Sequence, residues 1–226
     1  MREIVFDTET TGLSFTGGDR LVEIGCVELV NRVETGRTFH AYYHPERDMP
    51  EDAARVHGLR IEFLSKHPVF SAAVEALLEF IADAPLVAHN ASFDFGFLNG
   101  ELGRCGRGAV CATRMVDTLA LARQRHPGAK HSLDALCTRY GIDRSHRVQH
   151  GALLDAQLLA QVYVELMGGR QIGLGLVSQV AAAPTFTATT AARPVRPPRP
   201  FTVPEGERAR HRAFLQTITA PLWDAA

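Results

Sequence analysis

The sequence predicts an α/β protein in which a mixed β-sheet is flanked by helices. Two observations support this fold class. Segments with strand character come first along the chain, and further on a short strand alternates with helical segments. The chain has 226 residues, of which 46% are hydrophobic. That length suits one well-buried domain with additional segments better than it suits two full domains.

The first three predicted strands form an antiparallel meander. Residues 4–7 are a short apolar run that ends in a carboxylate, and residues 21–29 and 38–43 follow as the second and third strands. Two tight turns are predicted between residues 31 and 36, which would connect the second strand to the third.

Helical spacing begins at residue 70. Apolar residues recur on one face of the segment 70–82, and a short buried strand follows at residues 86–88. Further helices are predicted at residues 93–102, 116–125, 132–140 and 152–167. The last is the clearest, because Leu154, Leu158, Val162 and Leu166 recur at helical intervals.

Three parts of the chain differ in composition. Gly168 and Gly169 end the last of these helices and with it a predicted domain at residues 1–168. Residues 169–204 read as a linker, since six of the twelve prolines lie between residues 184 and 204 with few acidic residues among them. Helical character returns at residues 205–218, within a predicted C-terminal segment at 205–226.

Charge and cysteine content place few limits on function. The formal net charge is −1, which does not exclude a nucleic acid substrate, because bound cations can neutralise both carboxylates and phosphates. The four cysteines form no C-x-x-C pair, so reduced and mostly buried thiols are expected. The sequence shows neither a signal peptide nor a membrane-length apolar run, which favours a soluble protein of the cytoplasm.

Three clusters of polar residues carry the functional signal. Asp7 and Glu9 end the first strand, and residues two apart on a strand point to the same face. Asp94 falls in the first turn of a helix that follows a buried strand, and His150 precedes a helix whose first turn contains Asp155. Taken singly, each cluster has an ordinary explanation, since acidic residues are favoured at helix starts and strand ends often carry polar residues.

Together, the order and spacing of these clusters resemble the three motifs of the DEDDh superfamily of 3′–5′ exonucleases. Residues 1–168 look like the RNase H-like domain of that superfamily, and the resemblance is closest to the family of epsilon proofreading subunits of bacterial DNA polymerase III. The stretches that carry it are residues 6–13, 56–59, 132–137 and 150–156. Haloacid dehalogenase-type phosphatases do not fit, because they require Asp-x-Asp where this chain has Asp7-Thr8-Glu9.

The resemblance implies two divalent ions, Mg²⁺ or Mn²⁺, and a role for each motif residue. Asp7 would contact both ions, Glu9 and Asp155 the first, and Asp94 the second, while His150 would act as general base. Thr8, Thr10 and Leu13 would contact the terminal nucleotide at a DNA 3′ end, with His57 and Asp52 at further family positions that touch it. Phe93 is expected to pack rather than to stack on a base.

The residues beyond 168 imply protein partners. Gln171, Leu174 and Leu176 resemble a short peptide that docks on the bacterial sliding clamp. The C-terminal apolar residues would bind the polymerase alpha subunit; they are Phe214, Leu215, Ile218, Leu222 and Trp223. Two other functions stay open at this stage: an RNA-trimming exonuclease of the same fold, and a non-catalytic scaffold that bridges clamp and polymerase.

Overall fold

The computed structural model describes residues 1–145, 149–169 and 202–219. They fall in two compact units, one within residues 1–175 and the other within residues 176–226. Within the described residues of the second unit there is one helix, Glu205–Leu215, whose first turn carries Glu205 and Glu207. Among the described residues, no helix combines the length and the apolar character that a membrane span needs.

The first unit is built on a five-stranded mixed sheet. Its strands are β1 (Arg2–Thr10), β2 (Leu21–Val30), β3 (Val33–Tyr42), β4 (Leu86–Ala88) and β5 (Met115–Asp117). They lie in the order β3-β2-β1-β4-β5. The first three pair antiparallel, and β4 and β5 continue the sheet parallel to β1. The carboxyl ends of β1, β4 and β5 therefore meet at one edge of the sheet.

Helices cover both faces of this sheet. They are α1 (Glu51–His57), α2 (Ile61–Leu64), α3 (Phe70–Ile81), α4 (Ser92–Arg104), α5 (Thr118–Arg125), α6 (Leu133–Tyr140) and α7 (Ala152–Leu166), and α8 is the helix of the second unit. Ile4 and Phe6 of β1 pack in one core cluster with residues of α3 and α4. Val5 packs on the other face with residues of α7, and α5 and α6 pack against α7 in turn. Alternate residues of β1 thus face different helices.

Gly25 allows α7 to approach the sheet closely. It lies opposite Asp7 in the β1–β2 pairing. A Cβ atom at this position would lie 2.2 Å from the backbone nitrogen of Leu153, in the first turn of α7. Only a residue without a side chain fits there, so this glycine brings the start of α7 next to the end of β1.

A buried ion pair fixes the turn that follows β1. Arg20 donates two hydrogen bonds to the Glu101 carboxylate of α4, at 2.7 and 2.9 Å, and both side chains are buried. The Arg20 backbone N–H also donates to the Thr11 hydroxyl at 3.0 Å. The loop between β1 and β2 is thereby tied to α4.

Several sequence predictions are corrected by the structure. Residues 115–117 form a strand rather than the start of a helix, because Val116 pairs with Val87, and α5 begins at Thr118 with Asp117 as its N-cap. Helices α1 and α2 were not predicted; both are short and lack an amphipathic repeat.

The β2–β3 connection also differs from the prediction. It contains one tight turn, at Asn31 and Arg32, both of which have positive φ. Gly36 lies within β3, where the register shifts, and is not part of a second turn. None of the four cysteines, all of which lie in the described part of the chain, forms a disulfide. Cys26 and Cys137 are buried, whereas Cys105 is half-buried and Cys111 is exposed.

Candidate active site

The four predicted carboxylates line one cleft at the carboxyl ends of β1 and β4. The cleft is also lined by His150, and by the half-buried Phe93 and His89. Asp7 and Glu9 share the strand face of Val5, which packs against α7, so they lie on the side of Asp155 and His150. Asp94 comes from α4 on the opposite face of the sheet. The site is therefore assembled from both layers of helices.

Glu9, Asp155 and His150 form the tightest group in the cleft. Each offers a ligand atom within 4.8 Å of those of the other two. The Nδ1 atom of His150 lies 3.1 Å from Oδ2 of Asp155. Glu9 and Asp155 are buried, while the His150 side chain is 48% exposed, so the histidine stands at the mouth of the cleft.

Asp94 is held from the strand side. The Thr8 hydroxyl donates a 2.7 Å hydrogen bond to Oδ1 of Asp94, and both residues are buried. Thr8 lies between Asp7 and Glu9 in sequence, and its side chain points to the other face of β1, where α4 packs. The middle residue of the Asp-Thr-Glu motif thus contacts the carboxylate that reaches the cleft from the opposite layer.

Asp7 is the electrostatic centre of the group. Burial raises its pKa well above the ordinary value, and the carboxylates of Asp94, Glu9 and Asp155 raise it further. Burial also raises the pKa of Asp94, against the opposing effect of the Thr8 hydrogen bond. Carboxylates that disfavour one another's ionisation in this way are stabilised by a cation.

The donor set fits divalent metal ions. Hard cations such as Mg²⁺ and Mn²⁺ prefer carboxylate oxygens, and the cleft gathers four carboxylates, of which Glu9, Asp94 and Asp155 are buried. Among the described residues, the group Glu9, His150 and Asp155 has ligand atoms close enough to share one ion.

The loop between β4 and α4 contributes residues that the sequence analysis did not assign to the site. His89 and Asn90 line the cleft, and Asn90 has a φ of +61°. Asp117 at the end of β5 accepts hydrogen bonds from the backbone N–H groups of Asn90 and Leu119, at 3.0 and 2.9 Å. The sequence signal for His89 and Asn90 is their position directly after a buried strand. The position of Asp117 depends on the pairing of β5 with β4, which is a tertiary contact.

A second cleft of about 500 Å³ adjoins the carboxylates. Thr8, Glu9 and Phe93 line both clefts, and the second is completed by the loop after β1 and by α1. It contains the predicted substrate contacts Thr10, Leu13, Asp52 and His57. Leu13 is 86% exposed and stands at its rim. Phe93 packs against Phe97, with ring centroids 5.0 Å apart, while it also lines both clefts.

His57 presents a buried polar atom in this second cleft. It is the last residue of α1, and Leu59 donates a backbone hydrogen bond to its Nδ1 at 3.1 Å. Among the described residues, its buried Nε2 finds no partner in good hydrogen-bond geometry. Burial lowers the pKa of His57, which favours the neutral ring with its proton on Nε2.

The residues predicted to bind other proteins are only partly described. Gln171, Leu174, Leu176, Leu222 and Trp223 lie outside the described residues. In the second unit, α8 ends at Leu215, which is buried, and Phe214 is 61% exposed. Ile218 is half-buried and lies in the turn after α8, so the helix is shorter than predicted.

Comparison with known proteins shows the family to which the chain belongs. The chain matches the family described as Exonuclease over residues 4–163. It is 52% identical over 182 residues to the DNA polymerase III subunit epsilon of Rickettsia felis, a match that covers 79% of this chain and 80% of the relative. The corresponding subunit of Escherichia coli is 46% identical over 178 residues, which are 75% of this chain and 72% of the relative.

Solved structures share the fold. The nuclease domain of 3′hExo, a DEDDh family member bound to rAMP, superposes with a TM-score of 0.64 at 16% identity. The match covers 74% of this chain and 91% of that chain. Exonuclease X in complex with 5′ overhanging duplex DNA gives a TM-score of 0.56 at 24% identity, over 73% of this chain and 90% of the other. The fold is thus the RNase H-like exonuclease fold, and the chain belongs to the Exonuclease family, among the DNA polymerase III epsilon subunits.

Proposed function

We propose that this protein is a 3′–5′ exonuclease that removes mismatched nucleotides from primer ends made by DNA polymerase III in the bacterial cytoplasm. The observation that supports the proposal most directly is the convergence of Asp7, Glu9, Asp94, Asp155 and His150 on one cleft. Sequence identities of 52% and 46% to two epsilon subunits support a role in replication. The reaction is hydrolysis of the terminal phosphodiester, which releases a 5′-deoxynucleoside monophosphate.

The four carboxylates would hold two ions, Mg²⁺ or Mn²⁺. Asp7 would contact both, as the family resemblance implies. Glu9 and Asp155 would complete the first site, and Asp94 the second. When bound, such ions stabilise the attacking and leaving oxygens of the displacement and lower the pKa of water.

His150 would act as the general base. An ionised carboxylate only accepts hydrogen bonds, so the contact with Oδ2 of Asp155 requires the proton of the neutral ring on Nδ1. Nε2 then carries the lone pair that takes a proton from the attacking water. The 48% exposure of the side chain leaves room for the ring to move as substrate enters.

The second cleft would hold the terminal nucleotide. Leu13, exposed at the rim, would act as a wedge against the last base, and the backbone around Thr8 and Thr10 would contact the sugar and its 3′ oxygen. The Nε2–H of His57 would donate a hydrogen bond to the nucleotide. Asp52 lines the same cleft with an exposed side chain. A mismatched end enters more easily, because an unpaired base costs less to unstack.

Protein partners would bind outside the nuclease domain. In this proposal Gln171, Leu174 and Leu176 bind the sliding clamp, and the segment from Phe214 to Trp223 binds the polymerase alpha subunit. Residues 169–204 would act as a linker that keeps the domain near the primer end at high effective concentration. The domain boundaries at residues 168 and 204 belong to this proposal.

The test is hydrolysis of a 3′-mismatched primer–template and of an RNA oligomer with Mg²⁺, with Asp7→Ala as the inactive variant. We expect removal of the DNA 3′ nucleotide by wild type and loss of at least about a thousandfold in the variant, because the central ligand is gone. Faster trimming of RNA than of DNA would place the protein with RNA-processing exonucleases. Hydrolysis of neither substrate would favour the scaffold function.

The partner assignments need a separate measurement. A chain that ends at residue 169 should hydrolyse single strands at the wild-type rate but lose association with the alpha subunit. Tight binding of this truncated chain to the alpha subunit would contradict the proposed role of residues 205–226.

A further inference from the structure

We infer that the hydroxyl of Thr8 is a positioning group for the metal site, which acts by fixing the Asp94 carboxylate. The inference rests on the proposed function in one respect, the assignment of Asp94 as a ligand. It goes further because it gives the side chain of Thr8 a role that is separate from the contact of its backbone with the nucleotide.

The geometry of the contact is specific. The hydroxyl donates to Oδ1 of Asp94 at 2.7 Å, in a buried contact between residues 86 positions apart in sequence. Rotation about the Cβ–Cγ bond of an aspartate has broad minima, so the carboxylate plane is poorly fixed by its own torsional preference. A short hydrogen bond to one oxygen restricts that rotation and leaves the second oxygen in a defined place.

The need for such a group follows from the architecture of the site. The backbones of Asp7 and Glu9 are held by the pairing of β1 with β2, and Asp155 contacts His150. Asp94 comes from the helix layer on the other side of the sheet, to which the side chain of the strand residue that alternates with Asp7 and Glu9 points. Thr8 is that residue. Groups that orient metal ligands through hydrogen bonds typically contribute about 10- to 100-fold to metal affinity or activity.

The experiment measures Mn²⁺ binding to the full chain in the absence of nucleic acid, by electron paramagnetic resonance of free Mn²⁺ and by calorimetry. Thr8→Val removes the hydroxyl at nearly constant shape, and Thr8→Ser keeps it. Thr38→Val is the matched control, because Thr38 is an exposed threonine of β3. We expect Thr8→Val to weaken binding at the Asp94 ion by about 10-fold, and Thr8→Ser and Thr38→Val to stay within about 3-fold of wild type.

Two results would overturn the inference. One is wild-type Mn²⁺ affinity in Thr8→Val, and the other is an equal loss in Thr8→Val and Thr8→Ser, which would show that any change to the side chain weakens binding, whether or not the hydroxyl is kept. The thermal midpoint without metal is recorded for each variant, and Thr8→Ala replaces Thr8→Val if the latter does not fold. Hydrolysis of single-stranded DNA by wild type is measured in parallel. Its absence would count against the proposed function, whereas the Mn²⁺ data would still decide the role of Thr8.

Discussion

Asp94→Asn should stabilise the metal-free protein at high pH, although the same change should abolish its activity. Burial of Asp94 raises the pKa of its carboxyl from the ordinary value of 3.8 to about 7. Between these pH values the folded state binds the proton more tightly than the unfolded state does. The free energy of unfolding of wild type therefore falls as pH rises from about 4 to about 7. An asparagine does not titrate, so the stability of the variant increases relative to that of wild type as pH rises over this range.

The magnitude follows from the size of the pKa change. At 1.36 kcal/mol per pKa unit, the rise at Asp94 corresponds to a ceiling of about 4 kcal/mol. We expect roughly 1–3 kcal/mol, because Asp7 and Asp94 titrate as an interacting pair and the native state relaxes around the charge. The Thr8 hydroxyl can still donate to the carboxamide oxygen.

The assay is urea denaturation in EDTA at pH 5 and pH 8, with Asp48→Asn as the control at an exposed carboxylate. The free energy of unfolding of Asp94→Asn should exceed that of wild type by more at pH 8 than at pH 5. Addition of Mg²⁺ at pH 8 should stabilise wild type more than the variant, because the ion binds the folded site. An Asp94→Asn protein that is less stable than wild type at pH 8 in EDTA, or an advantage independent of pH, would refute the electrostatic reasoning.

Three further predictions concern the scaffold and the base. Gly25→Ala should destabilise the protein by about 2–3 kcal/mol, because the new Cβ would clash with the backbone of α7 at Leu153. An unchanged thermal midpoint would contradict the close approach of α7 to β2. Glu101→Ala should lower the free energy of unfolding in chemical denaturation by about 3 kcal/mol, because Glu46, which is half-exposed, would be the remaining ion-pair partner of the buried Arg20. A decrease below about 1 kcal/mol would show that the buried ion pair adds little to stability. His150→Gln should lower kcat by about 10²- to 10⁴-fold while Mn²⁺ affinity changes little, and a loss of less than about 10-fold would exclude His150 as general base.

Sequence periodicity predicted most of the regular elements. The segments that became α3, α6 and α7 carry apolar residues at helical intervals, and the ends of these helices differ from the prediction by one residue. β5 was missed because it has three residues and runs directly into α5, so a local pattern could not separate the two. Its strand character comes from pairing with β4, which is a tertiary contact.

The sequence predicted the five motif residues of the candidate site but not the hydrogen bonds that hold them in place. Asp7, Glu9, Asp94, Asp155 and His150 were identified from motif order, and all five line the same cleft. Thr8 was predicted to contact substrate through its backbone, and nothing in the sequence pointed to its hydroxyl bond with Asp94. Such a bond joins residues far apart in the chain, and its existence depends on which helix covers which face of β1.

Local sequence patterns predicted the order of the strands and helices other than α1, α2 and β5, the apolar faces of the long helices and the residue types that gather at the ends of β1 and α7. These properties depend on local spacing and on side-chain chemistry. The tertiary structure decided that Asp94 reaches the cleft from the face opposite to Asp155, that Gly25 allows α7 to approach, and that Asp117 holds the loop at Asn90. Each of these depends on distances between segments remote in sequence, which are set only when both helix layers pack on the sheet.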